Sequence, residues 1–339
     1  MIRTKVEEMC TKLGEDPLLV QGAGGNVSWK EDDVLWIKAS GTWLSEAKDE
    51  DIFLPADLKN LQVELNSGNF DFVPKVLSDT ERKPSIETIL HAIMPQKIVV
   101  HLHAVEVLTY LVKDDWKEIL SDKLGNQTTY SFVDYHKPGS DLAKGVYDSM
   151  NGNLGTNLLF LKNHGLVLGA ETTEEILSLL KRLLDSLDVH IKHHSLECPT
   201  FRDADINPFI ALNYSPTKSV KLHNLSLNED LYKFVLYKWA LFPDHVVFLG
   251  DKPFIGEYQF LIQELQNSTS NPPFVFCKGF GTFEHNSVTK THIDQLTCYY
   301  DVIIRQDKPT GLIELSNEQI TELLHWEAEK YRLSVSKNK

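Results

Sequence analysis

The chain has 339 residues, 42% of them hydrophobic, and a formal net charge of −14, which gives length and apolar content for two domains with buried cores. No stretch concentrates the 34 Lys and Arg residues, so nucleic acid and anionic membranes are excluded as partners on electrostatic grounds. Cys10, Cys198, Cys277 and Cys298 form no Cys-x-x-Cys, Met1 to Glu8 opens an amphipathic helix rather than a signal peptide, and no run is apolar enough to span a bilayer, so the cytoplasm is the expected compartment.

After the N-terminal helix, Gly22-Ala23-Gly24-Gly25-Asn26-Val27-Ser28 leads into a short strand, and Ile37-Lys38-Ala39-Ser40-Gly41-Thr42 follows a second. Both loops expose backbone N–H groups and hydroxyls, which suits an anionic substrate group. A plain hairpin turn would use the same glycines, and the GxGxxG spacing of a dinucleotide fold is absent. Pro84-Ser85-Ile86-Glu87 then reads as a helix start.

Ile98-Val99-Val100 is an apolar strand closed by His101-Leu102-His103, and alternation along it sends both imidazoles to one face. Leu158 to Leu161 is a second buried strand, with Asn163-His164-Gly165 at its end. Three neutral imidazoles with Glu87 as a fourth group form a set that zinc accepts, and a carboxylate able to swing away opens the position a catalytic metal needs. Each residue alone has a plainer reading. His164 would be a hydrogen-bonded core histidine, the His pair solvated edge residues, and Glu87 a surface residue. It is their company that favours a metal site.

A helix is predicted from Thr173 to His193, opened by a Thr-x-Glu capping pattern, with His190, His193 and His194 on a solvated charged face. The domains are read as 1–194, then a linker or wrapping arm over 195–228, dotted with Pro199, Pro208 and Pro216, then a second α/β domain over 229–339. In that domain Pro243 to Leu249 and Phe274 to Phe276 read as strands, and Ile293 to Ile304 and Glu318 to Tyr331 as helices. It carries a faint echo of the first domain. Phe276 to Gly281 parallels Leu161 to Gly165, with Phe280 where His164 stands, and Pro243 before a Val-Val pair parallels Pro95 before Val99-Val100. The plainer reading is that any strand–Gly–strand–helix unit looks this way.

Six blocks occur in one order: Gly25-Asn26-Val27-Ser28, Lys38-Ala39-Ser40-Gly41, Pro84-Ser85-x-Glu87-x-x-x-His91, Val99-Val100-His101-x-His103-Ala104, Tyr135-x-x-x-Gly139 and His164-Gly165. In these blocks the chain resembles the class II aldolase/adducin family over roughly its first 190 residues. The resemblance implies an α/β fold, a central mixed or antiparallel sheet flanked by helices, here with a second smaller α/β unit. It implies zinc, or another divalent metal, on His101, His103 and His164. Glu87 would ligate the resting metal and move protons, and Tyr135 would be a mobile catalytic tyrosine. The plainer reading of Tyr135 is a turn anchor. Gly25, Asn26, Ser40, Gly41 and Ser85 would hold a substrate phosphate. Ile86 departs from the pattern, standing where sugar-phosphate aldolases often carry a second hydroxyl, so a non-phosphorylated or carboxylate substrate stays open.

The expected function is a zinc-dependent aldolase that cleaves a ketose or ketose phosphate through an enediolate. Epimerisation, decarboxylation and dehydration use the same kind of site, and a non-catalytic, adducin-like interaction protein is the alternative from another class. Adducins lack the three histidines that this chain keeps. The implied partner is a small sugar, and the implied assembly a homotetramer whose sites are shared between neighbouring subunits. Pro243-Asp244-His245 and Leu324-x-Trp326-Glu327 are similar to segments of longer aldolase-like proteins, including the aldolase half of bifunctional aldolase–dehydrogenases.

Overall fold

Val6, Met9, Cys10 and Leu13 line one face of α1 (Ile2–Gly14) and are all buried, the spacing that seats a helix on a core. From there the chain builds the first sheet. The Gly-rich loop enters β1 (Asn26–Glu31), which hairpins into β2 (Val34–Lys38), and β3 (Phe53–Asp57) and α2 (Leu58–Asn66) complete the first half. The second half runs α3 (Thr88–Ile93), β4 (Ile98–Leu102), α4 (Val105–Leu111), α5 (Trp116–Leu124), β5 (Tyr130–Val133), α6 (Ser140–Met150), β6 (Leu158–Leu161), β7 (Gly165–Ala170) and α7 (Thr173–Leu187). The strands lie in the order β3-β2-β1-β4-β7-β6-β5. All pairs are antiparallel except β5 with β6. β4 and β6 are buried at every residue, as strands covered on both faces must be.

This is a computed structural model, in which residues 2–125, 129–150, 155–193, 196–327 and 331 are described. Met1–Leu111, Asp115–Asp188 and His325–Asn338 form one compact unit, and Val112–Asp114 with Val189–Leu324 form the main body of a second. The second runs α8 (Asp203–Ile210), β8 (Tyr214–Pro216), α9 (Val220–Leu227), α10 (Glu229–Tyr237), α11 (Pro243–Leu249), β9 (Phe254–Gly256), α12 (Tyr258–Asn267), β10 (Phe274–Cys277), β11 (Gly281–His285), α13 (Lys290–Ile303) and α14 (Asn317–Leu324). Its sheet has the order β8-β11-β10-β9. A large mixed sheet flanked by helices, with a second smaller sheet, is the architecture expected from the sequence. Among the described residues no helix is long and apolar enough to cross a membrane.

Four local readings need correction. Pro243 to Leu249 is the helix α11, not a strand. A short run buried on every side has no polar face to mark a period, and Pro243 at the first helical position, with φ already set, favours the helix. The stretch 195–228, read as a linker or wrapping arm, holds α8, β8 and α9 with Phe209, Tyr214, Leu222 and Leu225 buried. Elements of three to eight residues carry too few repeats to show periodicity. α7 stops at Leu187, the last residue of its buried stripe, and Asp188 closes it with φ 47°. α14 breaks after Leu324, and residues 328–330 of the predicted helix Glu318 to Tyr331 lie outside the described residues. His193 Nε2 pairs with Gln306 O at 3.1 Å, His190 is exposed, and His194 lies outside the described residues.

Candidate metal centre and its pocket

Register sets the centre. β1 pairs with β4 so that Asn26 faces His101, and β4 pairs with β7 so that His101 faces Val167. His103 follows β4 on the same side, and the turn from β6 to β7 returns His164 beside them. The three imidazoles offer nitrogens within 4.8 Å of one another and are all buried. His101 Nε2 and His103 Nε2 are 3.1 Å apart. His101 Nδ1 lies 2.9 Å from Leu166 O. A carbonyl only accepts, so Nδ1 carries the proton and Nε2 turns its lone pair into the cluster, the second-shell arrangement that orients a ligating histidine.

Glu87 enters from the start of α3. Its Oε2 is 3.5 Å from His101 Nε2 and its Oε1 is 3.4 Å from His164 Nε2. Asn26 Nδ2 donates to Oε2 at 2.6 Å, which fixes the carboxylate plane. Glu87 is 4% exposed, and its Oε1 has no hydrogen-bond partner. A buried carboxylate oxygen without a donor, beside three converging imidazoles, matches the nitrogen-and-oxygen donor set of a divalent cation. The residues therefore fit the metal that the sequence implies. One turn beyond Glu87, His91 Nδ1 pairs with Ser28 Oγ at 2.7 Å. Helix positions i and i+4 thus meet strand positions i and i+2, which locks α3 onto β1. Burial first, with the neighbouring His101 and Lys30 adding to it, holds His91 well below the ordinary histidine pKa.

The two Gly-Ser loops are tied to each other and to the start of α3. Ser40 N bonds Lys83 O at 2.9 Å and Ser85 N bonds Lys38 O at 3.1 Å, which brings the two serine segments edge to edge. Ser85 Oγ accepts from Glu87 N at 3.2 Å. Gly25 and Gly41 take φ 65° and 80°, a region glycine enters without steric cost. Lys38, 1% exposed, donates from Nζ to Ala23 O at 3.0 Å and to Thr42 O at 2.6 Å, so one ammonium joins both loops. Tyr135 is half-buried on the loop between β5 and α6. That loop runs past Ile86, since a Cβ on Gly139 would lie 3.9 Å from Ile86 O and 3.0 Å from Trp326 Cη2. Lys137 Nζ sits 5.3 Å from the Trp326 ring centre.

Lys38, His91 and Trp326 occur in the sequence motifs but are given no site role there. A lysine in the apolar run of β2 and a histidine four residues after Glu87 are the signals available for the first two.

The family model for the class II aldolase and adducin N-terminal domain matches residues 4–191. The chain belongs to the class II aldolase and adducin family. Within it, one relative is a Bacillus subtilis (strain 168) protein described as the uncharacterized oxidoreductase YuxG, 28% identical over 214 residues. The match covers 56% of this chain and 31% of that protein, so the chain spans about a third of its relative. The N-terminal class II aldolase domain of a conserved Thermoplasma acidophilum protein is 27% identical with a TM-score of 0.46, over 54% of this chain and 91% of that one. A sugar-phosphate aldolase from Thermotoga maritima is 17% identical with a TM-score of 0.44, over 55% and 91%.

Proposed function

We propose that this chain is a zinc-dependent aldolase, a carbon–carbon lyase that cleaves a ketose or ketose phosphate. The observation that carries the reading is the buried cluster of His101, His103 and His164 with Glu87 against it. His101, His103 and His164 would hold the cation, with Glu87 as a fourth ligand when no substrate is present. A bound divalent cation supplies Lewis-acid polarisation of the substrate's carbonyl and neighbouring hydroxyl oxygens.

The remaining work falls to side chains. Glu87, held by Asn26 and shielded from water, returns a proton to the carbon left electron-rich when the carbon–carbon bond breaks. Tyr135, on its loop, takes the proton from the hydroxyl that becomes the departing aldehyde. Gly25, Asn26, Ser40, Gly41 and Ser85 receive the anionic end of the substrate through N–H and hydroxyl donors, and Ile86 leaves that pocket one hydroxyl short. In this reading the enzyme is a cytoplasmic homotetramer whose Tyr135 serves a neighbouring subunit's site.

The test is a screen of ketoses and ketose phosphates against the zinc-loaded protein, with aldehyde release as the readout, run beside Glu87→Gln. The expected result is turnover that falls ~10²-fold or more in Glu87→Gln while zinc content is kept. Substrate isomerisation without aldehyde release would replace the lyase with an epimerase, and loss of carbon dioxide with a decarboxylase.

A further inference from the structure

The second unit repeats the strand order of the half of the first that carries the candidate metal ligands, with one extra helix, α11, between its first two strands. β4-β7-β6-β5 in one sheet matches β8-β11-β10-β9 in the other. β5 is parallel to β6 as β9 is to β10, and the remaining pairs in both sets are antiparallel. A helix joins each parallel pair (α6, α12), and a capped helix follows each hairpin (α7, α13), opened by Thr172 and Thr289. The helix before β4 and that before β8 also correspond, with Glu87 and Arg202 as their N-caps.

The match extends to single hydrogen bonds. Asn163 N bonds Leu111 O as Gly279 N bonds Ser226 O. Lys162 N bonds Val133 O as Lys278 N bonds Gly256 O. His164 N bonds Leu161 O as Phe280 N bonds Cys277 O, and Gly169 N bonds Asn157 O as His285 N bonds Pro273 O. Asn163 and Gly279, at the same place in the two turns, have φ 52° and 65°. A chance strand–turn–strand unit reproduces the bonds within the hairpin, but not the two bonds that reach separate segments at matched positions, to Leu111 O and Val133 O in one unit and to Ser226 O and Gly256 O in the other. Pro243 is not part of the correspondence, because α11 is a helix and the counterpart of β4 is β8.

Register then assigns each ligand a counterpart. His101 faces Val167 as Pro216 faces Phe283, so His101 corresponds to Pro216 and His103 to Lys218. His164 corresponds to Phe280 and Glu87 to Arg202. None of the four ligates a cation. Phe280 packs among Phe201, Tyr258 and Phe283 at ring-centre distances of 5.2, 5.3 and 5.7 Å, so aromatic rings fill what the first unit keeps as a polar cluster. β1 to β3 and their anion loops have no counterpart, and β8 is an edge strand.

We infer that residues 202–303 are a second copy of residues 87–187 in which the metal centre has been replaced by an aromatic core. Among the described residues the candidate metal cluster lies in the first unit, and the second unit is a copy without it. This holds whatever reaction the first unit performs.

The test restores the lost ligands in the full chain. Arg202→Glu, Pro216→His, Lys218→His and Phe280→His are combined in a His101→Ala/His103→Ala background, and cobalt(II) is added. The expected result is close to one cobalt per chain with visible d–d absorption, against none in the background. A folded variant, with native circular dichroism, that takes up no cobalt overturns the correspondence. Should the combined variant not fold, Lys218→His/Phe280→His in the same background decides, as two histidines on the matched positions must make its unfolding midpoint rise with added zinc, and an unmoved midpoint rejects the copy.

Discussion

Gly165 shows how tightly backbone and ligands are fitted at the centre. A Cβ there would lie 2.4 Å from Leu102 O and 3.2 Å from both His101 Cε1 and His103 Cδ2. Backbone cannot yield cheaply at that range, so the two imidazoles must turn. Gly165→Ala is therefore expected to lose most of its bound metal, by elemental analysis, while the far-ultraviolet circular dichroism stays native. Full metal content in that variant would show that the cluster has room to spare. At this scale the sequence was legible wherever chemistry and period coincided. His101 and His103 share a strand face, and Glu87 sits at a marked helix start. Lys38 and His91 were harder to read, because their importance lies in partners such as Thr42 O and Ser28 Oγ that only the folded register brings near.

Elements with clear ends were read from sequence and those without were not. α7 has a reciprocal cap, with Glu175 N donating to Thr172 Oγ1 at 3.2 Å and Thr172 N donating to Glu175 Oε2 at 3.2 Å. It buries Ile176, Leu179, Leu180, Leu183 and Leu187 on one stripe, which is why its start was visible. Thr172→Ala removes the acceptor and is expected to lower stability by ~1 kcal/mol in urea unfolding; an unchanged midpoint would mean that packing alone holds the helix start. α11 is the opposite case. All seven of its residues are buried, so it has no polar face to announce a helical period. The segment 203–227 was obscured by its prolines. Pro208 lies inside α8 and Pro216 ends β8, positions that tolerate proline but read as breaks.

Across the molecule, the second unit carries an acid-sensitive core. His245 is fully buried between Trp239, Phe242 and Tyr299, with ring centres 4.3, 5.5 and 4.8 Å away. Neither ring nitrogen has a hydrogen-bond partner, and burial lowers its pKa from 6.5 to about 3. The unfolded chain takes up this proton near pH 6.5 and the folded chain does not until pH falls near 3. The contribution is thus complete above pH 6.5 and is lost as pH falls toward 3, with a slope of up to ~1.4 kcal/mol per pH unit. His245→Phe keeps the aromatic packing without the proton. Its unfolding midpoint is expected to fall less than the parent's between pH 7 and pH 4, both scaled to pH 7, and parallel curves would clear His245 of the acid sensitivity.

Lys38 fastens the turn at Ala23 to the turn at Thr42, two segments that lead into and out of adjacent strands. Neither turn can open without breaking a bond to the same ammonium. Under the proposed function an incoming anion would meet donors already in their bound positions, and the conformational freedom that a loose loop surrenders on capture would here be surrendered once, as the chain folds. Rigidity of this kind would make such a pocket selective by shape, because it could not reshape itself around a longer or bulkier head group.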